Sequence, residues 1–485
     1  MTSPIRRRDF LKTLGASAAT LGLAGSGLLN AAPRTGKRPP NIVFIMVDDL
    51  GKEWISAYGA TDIETPHIDR LAREGLRFDS AYSMAQCTPS RVTLLTGQYP
   101  YHTGWVNHWD VPRWGVAYFD WKKHTTVANL LHDAGYKTAA AGKWQINDFR
   151  VAPDALEKLG FDDWAMWTGG EGGVRASHKR YDNPYINTPK EGSKTYEGKF
   201  GPDIFNDFLI DFVKRHRDEP MFLYYPMCLT HTPLVRTPDE PNAGTKLERH
   251  KAMVRYTDKL VGKLVKAIED EGLARDTIVI FTTDNGSTRG VTGHRKGVAV
   301  RGAKAKKSEA GVCAPYIAWG PGRVPAGKTT DALTDFTDLV PTFCDLAGKP
   351  LPEGLDLDGV SIAPVLLGQA DASTRGWILA MGHGAAKLRA KGVRGRHTFA
   401  SRVLRDRRYK VWVDTNRAIA ELYDLKEDPW EKTNLIDSQA PEHVAIVEKY
   451  KKVVAAMPEE DAHPQYVPRA PNPWDRTPPG RGKKK

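Results

Sequence analysis

The run Asn41-Ile42-Val43-Phe44-Ile45-Met46-Val47 is apolar, β-branched or aromatic throughout after its first residue, and it stops abruptly at Asp48-Asp49. A continuous run of this length predicts a strand buried on both faces. Ile68, Leu71 and Ala72 share one helical face in residues 67–75, with Gly75 as the stop. Val127, Leu130, Leu131 and Ala134 follow helical spacing behind a cap at Thr125 or Thr126, and Gly135 ends that helix. A strand over 136–141 then runs into Gly142-Lys143. The alternation continues with a helix at 204–213 and a strand at 221–225 that leads to His231. A long amphipathic helix follows at 248–271, then a strand at 277–283 ending in Asp284-Asn285-Gly286. Strands alternating with helices predict an α/β fold: a large mixed, mostly parallel sheet sandwiched by helices.

Residues 150–200 are glycine-rich and read as loops over a cleft. Beyond residue 368 the texture changes. Short strands at 399–403 and 409–413, a turn at Arg405-Asp406-Arg407-Arg408 and a helix at 443–456 predict a small α+β subdomain containing a short antiparallel sheet. The expected organisation is an export signal at 1–32, a linker at 33–40, a catalytic domain at 41–368, the subdomain at 369–457, and a Pro/basic tail at 458–485, disordered at its end.

The formal charge of +12 over 485 residues invites a nucleic-acid reading, and its location removes that reading. Seven Lys/Arg against Asp9 lie in residues 1–38, and six against Asp475 lie in 469–485, leaving the body near +1. No internal stretch approaches the roughly 20 apolar residues of a membrane span, and mean hydropathy is −0.47. Arg6-Arg7-Arg8-Asp9-Phe10-Leu11-Lys12, the weakly apolar stretch 14–29 and Ala31-Ala32 have the layout of a bacterial export signal. It resembles the twin-arginine type, with Arg6 where Ser or Thr is usual. The expected location is therefore exported, periplasmic or extracellular, with the export machinery as a partner.

Cys87, Cys228, Cys313 and Cys344 match no zinc spacing and are too few for a disulfide scaffold. The acidic pairs are more informative. Ligands of open α/β sheets bind beyond the carboxyl ends of strands, and Asp48-Asp49 and Asp284-Asn285 each stand at such an end. Three carboxylates and an amide oxygen suit Ca²⁺ or Mg²⁺ and not zinc. In Cys87-Thr88-Pro89-Ser90-Arg91, Thr88 reads as an N-cap and Pro89 as the first helical residue. Residue 87 then lies just ahead of a helix N-terminus, where anions are favoured, and Arg91 is one turn on.

Cys-x-Pro-x-Arg followed by Leu95-Thr96-Gly97 resembles the signature of the type I sulfatases, within the alkaline-phosphatase-like superfamily. Similar blocks recur in family order: 41–49, Thr65 to Ala72, Gly142-Lys143-Trp144, His231-Thr232-Pro233, Thr283-Asp284-Asn285-Gly286, Asp338 to Thr342 and Glu421 to Lys426. The resemblance spans roughly residues 40–437. It implies that a formylglycine-generating maturation enzyme oxidises Cys87, and that the hydrated aldehyde is the nucleophile. It further implies a divalent cation, Ca²⁺ ahead of Mg²⁺, on Asp48, Asp49, Asp284, Asn285 and the modified Cys87. Arg91 would steady the formylglycine, Lys143 and Lys304 would bind sulfate oxygens, and His231 would act as general acid. The implied substrate is a sulfated small molecule or, given the export signal and Trp105, Trp109 and Trp114, a sulfated glycan.

The chain departs from the family pattern at three places. Gln145 stands where the family has histidine, and an amide cannot take a proton. Sulfate release would then need another base, His102 or His108, while Gln145 and His102 remain candidate substrate contacts. Glu309-Ala310-Gly311-Val312-Cys313 replaces Glu-Gly-Gly-x-Arg, and the insert over 164–200 matches weakly. Two other functions share the motif: a phosphodiesterase or phosphonate monoester hydrolase with the same nucleophile, and a non-catalytic sulfoglycan-binding relative. His124, His132 and His250 read as surface or capping groups.

Overall fold

The computed structural model describes residues 38–462 except 109–118, 148, 150–151, 168–179, 386, 390–391 and 395–397, and no side chain within 383–397. The expected export signal, Trp109, Trp114 and the tail beyond 462 lie outside the described residues.

The first strand, β1 (Asn41–Val47), is buried at every position. Its odd and even residues feed two separate cores. Ile42, Phe44 and Met46 join one, and Val43, Ile45 and Val47 join the other. Alternate side chains of a strand point to opposite faces, so an unbroken apolar run is stable only between two helical layers. At roughly 1.5–3 kcal/mol per fully buried large apolar side chain, this strand alone anchors both cores.

The remaining main-sheet strands are β2 (Leu76–Tyr82), β3 (Lys137–Lys143), β4 (Asp163–Trp167), β5 (Tyr185–Thr188), β6 (Gly192–Thr195), β7 (Met221–Pro226), β8 (Thr277–Thr283), β9 (Cys313–Trp319) and β10 (Lys328–Thr330). Their order is β10-β2-β9-β8-β1-β7-β3-β4-β5-β6, and the short Thr334–Asp335 pairs beside β2 to complete 11 strands. Strands β8, β1, β7, β3 and β4 are mutually parallel. Strand β9 runs antiparallel between β8 and β2. The fold is thus the large mixed, mostly parallel sheet that the pattern predicts. The glycine-rich 150–200 region corrects one expectation. Where it is described, it contributes β4, β5 and β6 to the sheet, because Trp164, Met166 and Ile186 give short runs enough apolar surface to bury.

Helices α1 (Pro66–Glu74), α2 (Cys87–Thr96), α3 (Val127–Asp133), α4 (Gly201–Arg215), α5 (Lys246–Asp270) and α6 (Leu339–Leu346) cover the two faces. Leu130 and Phe343 lie in the first core, and Leu71, Leu209 and Leu260 in the second. Thr126 and Asn129 form a reciprocal capping box on α3, and Thr245 and Glu248 form one on α5. Each box satisfies two otherwise orphaned N–H groups.

Residues Ile378–Met381, Arg402–Arg405, Tyr409–Val413 and Ile419–Asp424 form a four-stranded antiparallel sheet. A last helix, α7 (Pro441–Ala455), packs against it. Its apolar core includes Met84, Tyr99, Tyr101 and Val106, so the small sheet is seated against the segment around α2. His250 is fully buried in α5, edge-on to Trp54 with ring centroids 4.5 Å apart, and not a surface group. All four cysteines are free. No helix among the described residues is long and apolar enough to cross a membrane.

Candidate active site

Sequence-distant groups meet because β8, β1, β7 and β3 are adjacent and parallel, so their carboxyl ends open on one edge. Val47 pairs with Thr283 in register. Asp48 and Asp284 therefore emerge side by side, and the Asp49 N–H donates to Asp284 Oδ1 at 3.1 Å. On the other flank β7 leads to Thr230, whose N–H donates to the Asp48 carbonyl at 2.7 Å, and then to His231. One strand further, β3 delivers Lys143, whose Nζ lies 2.5 Å from Asp48 Oδ2. Gly142 just before it has φ 123°, and a Cβ there would stand 2.0 Å from the Pro226 carbonyl oxygen. Only glycine lets β3 and β7 approach so closely.

Cys87 is the first residue of α2, and Gln86 is its N-cap. The helix thus begins two residues before the expected start, with Gln86 and not Thr88 as N-cap and Cys87 and not Pro89 as the first helical residue. The Ser90 N–H already closes a turn onto the Gln86 carbonyl at 3.0 Å. Pro89 is tolerated there because a first-turn N–H has no intrahelical acceptor to lose. Cys87 Sγ is 3.5 Å from Asp48 Oδ1 and 3.9 Å from Asp49 Oδ1. Arg91, one turn on and fully buried, donates to the Lys143 carbonyl at 2.7 Å. Its other terminal nitrogen donates to Asp48 and Asp284 at 3.3 and 3.1 Å. Lys304 donates to Asp49 at 2.7 Å, and His231 Nε2 is 3.7 Å from Asp49 Oδ2.

Burial raises the Asp48 pKa, but the neighbouring cations, Lys143 first and then Arg91 and Lys304, more than offset it and hold the carboxyl well below the usual range. Asp284 goes the other way. Burial, then the neighbouring Asp48, push it up to about 7. Burial and Asp48 also raise Asp49, against the pull of Lys304. Burial followed by Asp284 and Asp48 push the Cys87 thiol far above its ordinary value. An unmodified Cys87 is therefore a protonated thiol and a poor nucleophile. Burial, Lys304, Lys143 and Arg180 hold His231 neutral.

The donor set fits a hard cation. Ligand atoms of Asp48, Asp49, Cys87 and His231 all lie within 4.8 Å of one another, a group that brings in His231 and does not include the expected Asp284 and Asn285. Asn285 Nδ2 donates to Asp49 Oδ1 at 2.8 Å, while its buried Oδ1 has no hydrogen-bond partner. Carboxylates crowded at zero exposure beside an orphaned amide oxygen are what an oxygen-ligated divalent ion resolves.

Two candidate residues sit differently. His102 Nδ1 lies 2.9 Å from Asp358 Oδ2 and its ring is 4.1 Å from that of Tyr101, so its described contacts are outside this cluster. Gln145, with φ 70°, is 3.2 Å through Nε2 from His108 Nδ1. Trp105 is 1% exposed and belongs to the core. Arg180 escaped the sequence reading, since it carries no motif and follows a weakly matched segment. It is buried over the Trp167 ring and its Nη2 is 2.7 Å from His231 Nδ1. Nδ1 also lies 2.6 Å from the Thr232 carbonyl oxygen, so an obligate donor and an obligate acceptor both meet that nitrogen, while Nε2 faces Asp49. Arg180 also donates to the Thr232 carbonyl beside that ring.

Residues 40–349 match the family profile described as Sulfatase. Residues 308–460 match one described as N-sulphoglucosamine sulphohydrolase, C-terminal. The N-acetylgalactosamine-6-sulfatase of Canis lupus familiaris is 33% identical over 374 residues, covering 73% of this chain and 69% of that one. The N-acetylgalactosamine-6-O-sulfatase of Bacteroides thetaiotaomicron is 28% identical, covering 86% and 93%. Among solved structures, Ps i-CgsB in complex with k-i-k-neocarrahexaose aligns with a TM-score of 0.72 and 25% identity, covering 89% and 95%.

Proposed function

Because the chain belongs to the sulfatase family and is a sulfuric ester hydrolase, we propose that it is exported and removes sulfate from a sulfated carbohydrate. The nucleophile in this reading is a formylglycine made from Cys87 by a maturation enzyme. The relatives named for N-acetylgalactosamine sulfate support a carbohydrate substrate. The observation that carries the reading is the convergence of Asp48, Asp49, Asp284, Arg91, Lys143 and Lys304 around the side chain of residue 87.

Asp48, Asp49, Asp284 and Asn285 would hold a divalent cation, Ca²⁺ in preference to Mg²⁺, which when bound supplies Lewis-acid charge to the sulfate and the nucleophile. Formylglycine supplies an aldehyde hydrate, whose second hydroxyl permits release of sulfate. The chain's own groups do the rest. Three carboxylates face three fixed cations in the cluster, Arg91, Lys143 and Lys304. Lys143 and Lys304 offer ammonium donors to sulfate oxygens, stabilising charge that develops in a water-poor site. Arg91 clamps Asp48 and Asp284 and holds the Lys143 backbone, so it positions both sides of the nucleophile. His231 faces the leaving oxygen as general acid; the imidazolium form this requires is favoured when an arriving sulfate anion offsets Lys143 and Lys304, and the Thr232 carbonyl at 2.6 Å accepts from its Nδ1–H. The base role that Gln145 cannot fill goes to His108, which touches Gln145, and not to His102, which touches Asp358.

The decisive measurement is the mass of the tryptic peptide containing Cys87, from cells that possess the maturation enzyme, alongside assays on sulfate monoesters, phosphodiesters and phosphonate monoesters. Aldehyde mass with sulfate-ester preference is expected. An unmodified thiol, or a clear preference for the phosphorus esters, overturns the reading.

A further inference from the structure

Between Asp284 and Glu309 the chain carries Arg289, Arg295, Lys296, Arg301, Lys304, Lys306 and Lys307 and not one acidic residue. The body of the chain sums to only about +1, so these seven cations stand against a remainder that is net negative. The segment is an excursion from the site. It leaves at Ser287 and returns at Lys304, whose N–H donates to the Ser287 carbonyl at 2.9 Å. The next residue, Ala305, donates to the Ala85 carbonyl at 2.9 Å, two positions before Cys87. Between these ends, Thr292–Arg295 and Val298–Arg301 form an antiparallel hairpin. It leans on the loop after β1 through the Lys296 N–H to the Gly59 carbonyl at 2.9 Å.

Some of these cations have evident structural work. Lys304 pairs with Asp49, Arg295 lies over Trp430, Lys307 lies over Trp412, and His294 takes up Asp62. Arg289 spends its Nε on the Lys304 carbonyl. Lys296, Arg301 and Lys306 are exposed and make no ion pair with a carboxylate among the described residues. Lys246, at the start of α5, adds another exposed ammonium close over Gly290. Like charges gathered without counter-charges repel, and the arrangement gains energy only when an anion arrives. An isolated basic run is usually a solvated face. This one is covalently continuous with Lys304 and anchored at both ends to the nucleophile's surroundings.

We propose that this excursion binds further sulfate groups of a polysulfated carbohydrate chain whose one reacting sulfate lies at residue 87. The inference rests on the sulfatase reading above and narrows its substrate class from a singly sulfated molecule to a polyanionic chain. Lys296, Arg301 and Lys306 supply the flanking contacts, and Lys304 joins them to the reacting centre.

The test uses the full chain and the triple variant Lys296→Ser, Arg301→Ser, Lys306→Ser, whose side chains touch no catalytic group. Fluorescent dextran sulfate is the probe, with unsulfated dextran and duplex DNA as controls, titrated at several salt concentrations. Hydrolysis of a small aryl sulfate is followed in parallel. The variant should bind dextran sulfate at least about tenfold more weakly near 0.1 M salt, with a log–log salt slope shallower by about two to three. Its aryl sulfate kcat/KM should stay within about twofold of the parent. Unchanged dextran sulfate binding in the variant overturns the inference, as does duplex DNA bound as tightly through the same residues. Failure of the parent to hydrolyse any sulfate ester would instead strike the sulfatase reading, and the binding comparison would still be scored separately.

Discussion

Arg91→Ala removes the guanidinium that serves both sides of the nucleophile, and its cost can be worked from three contacts. The side chain has no exposure and donates to the Lys143 carbonyl at 2.7 Å, to Asp48 at 3.3 Å and to Asp284 at 3.1 Å. Asp48 keeps Lys143, but Asp284 loses its salt-bridge partner at zero exposure. Hydrogen bonds to charged groups contribute about 1.5–3 kcal/mol each, and breaking a buried pair on one side costs about 3–5 kcal/mol. Urea unfolding in the presence of a chelator should therefore show a loss of about 3–5 kcal/mol. Arg91→Lys keeps the charge, loses the fork, and should fall between variant and parent. Adding Ca²⁺ should reduce the deficit, because an ion on Asp48, Asp49, Asp284 and Asn285 takes over the charge that Arg91 balanced. A loss below about 1 kcal/mol in chelator would refute the electrostatic account of the cluster. An equal loss with and without Ca²⁺ would refute the assignment of those carboxylates to a cation.

Gly142→Ala should cost several kcal/mol or abolish soluble expression, since its Cβ would meet the Pro226 carbonyl oxygen at 2.0 Å; a melting temperature equal to the parent's would disprove the close approach of β3 and β7. His250 has its pKa lowered by burial to about 3, so it folds neutral and takes up a proton on unfolding below its ordinary value of 6.5. Stability from this residue is therefore present above pH 6.5 and is lost as pH falls toward 3, by about 2 kcal/mol at pH 5. His250→Phe should flatten the pH dependence of urea midpoints between pH 7 and 5, and identical slopes would contradict the buried neutral ring. Arg180→Met removes the guanidinium that positions His231 at Nδ1 and helps to lower its pKa, and should lower kcat by about 10- to 100-fold with KM little changed and a displaced pH profile. A change in KM alone would show that Arg180 contacts substrate and does not position the histidine.

The sequence was enough for the sheet and for the chemical types at its edge. An unbroken apolar β1 ending in Asp48-Asp49, and a second such strand ending in Asp284-Asn285, can be read without coordinates because burial on both faces leaves no other pattern. The cysteine motif and the ordered blocks around it identify the family for the same reason: a nucleophile at a helix start and an arginine one turn on are constraints that act within a few residues. The short strands β4, β5 and β6 were missed because glycine and polar neighbours dilute their apolar residues, and only the edge of an existing sheet makes them strands.

What only the tertiary structure decided is which of these groups meet. Strand order puts β8, β1, β7 and β3 side by side, and that order is a global property that no local window contains. It sets Lys143 on Asp48 and His231 beside Asp49, and it sends His102 to Asp358 while His108 meets Gln145. Arg180 had no legible signal, because its role comes from a contact with a histidine 51 residues away and not from any neighbour in the chain. Sequence determines the residue types and the periodicity through local sterics and solvation, whereas the distances on which proton transfer and charge balance depend arise only when separate strands are laid edge to edge.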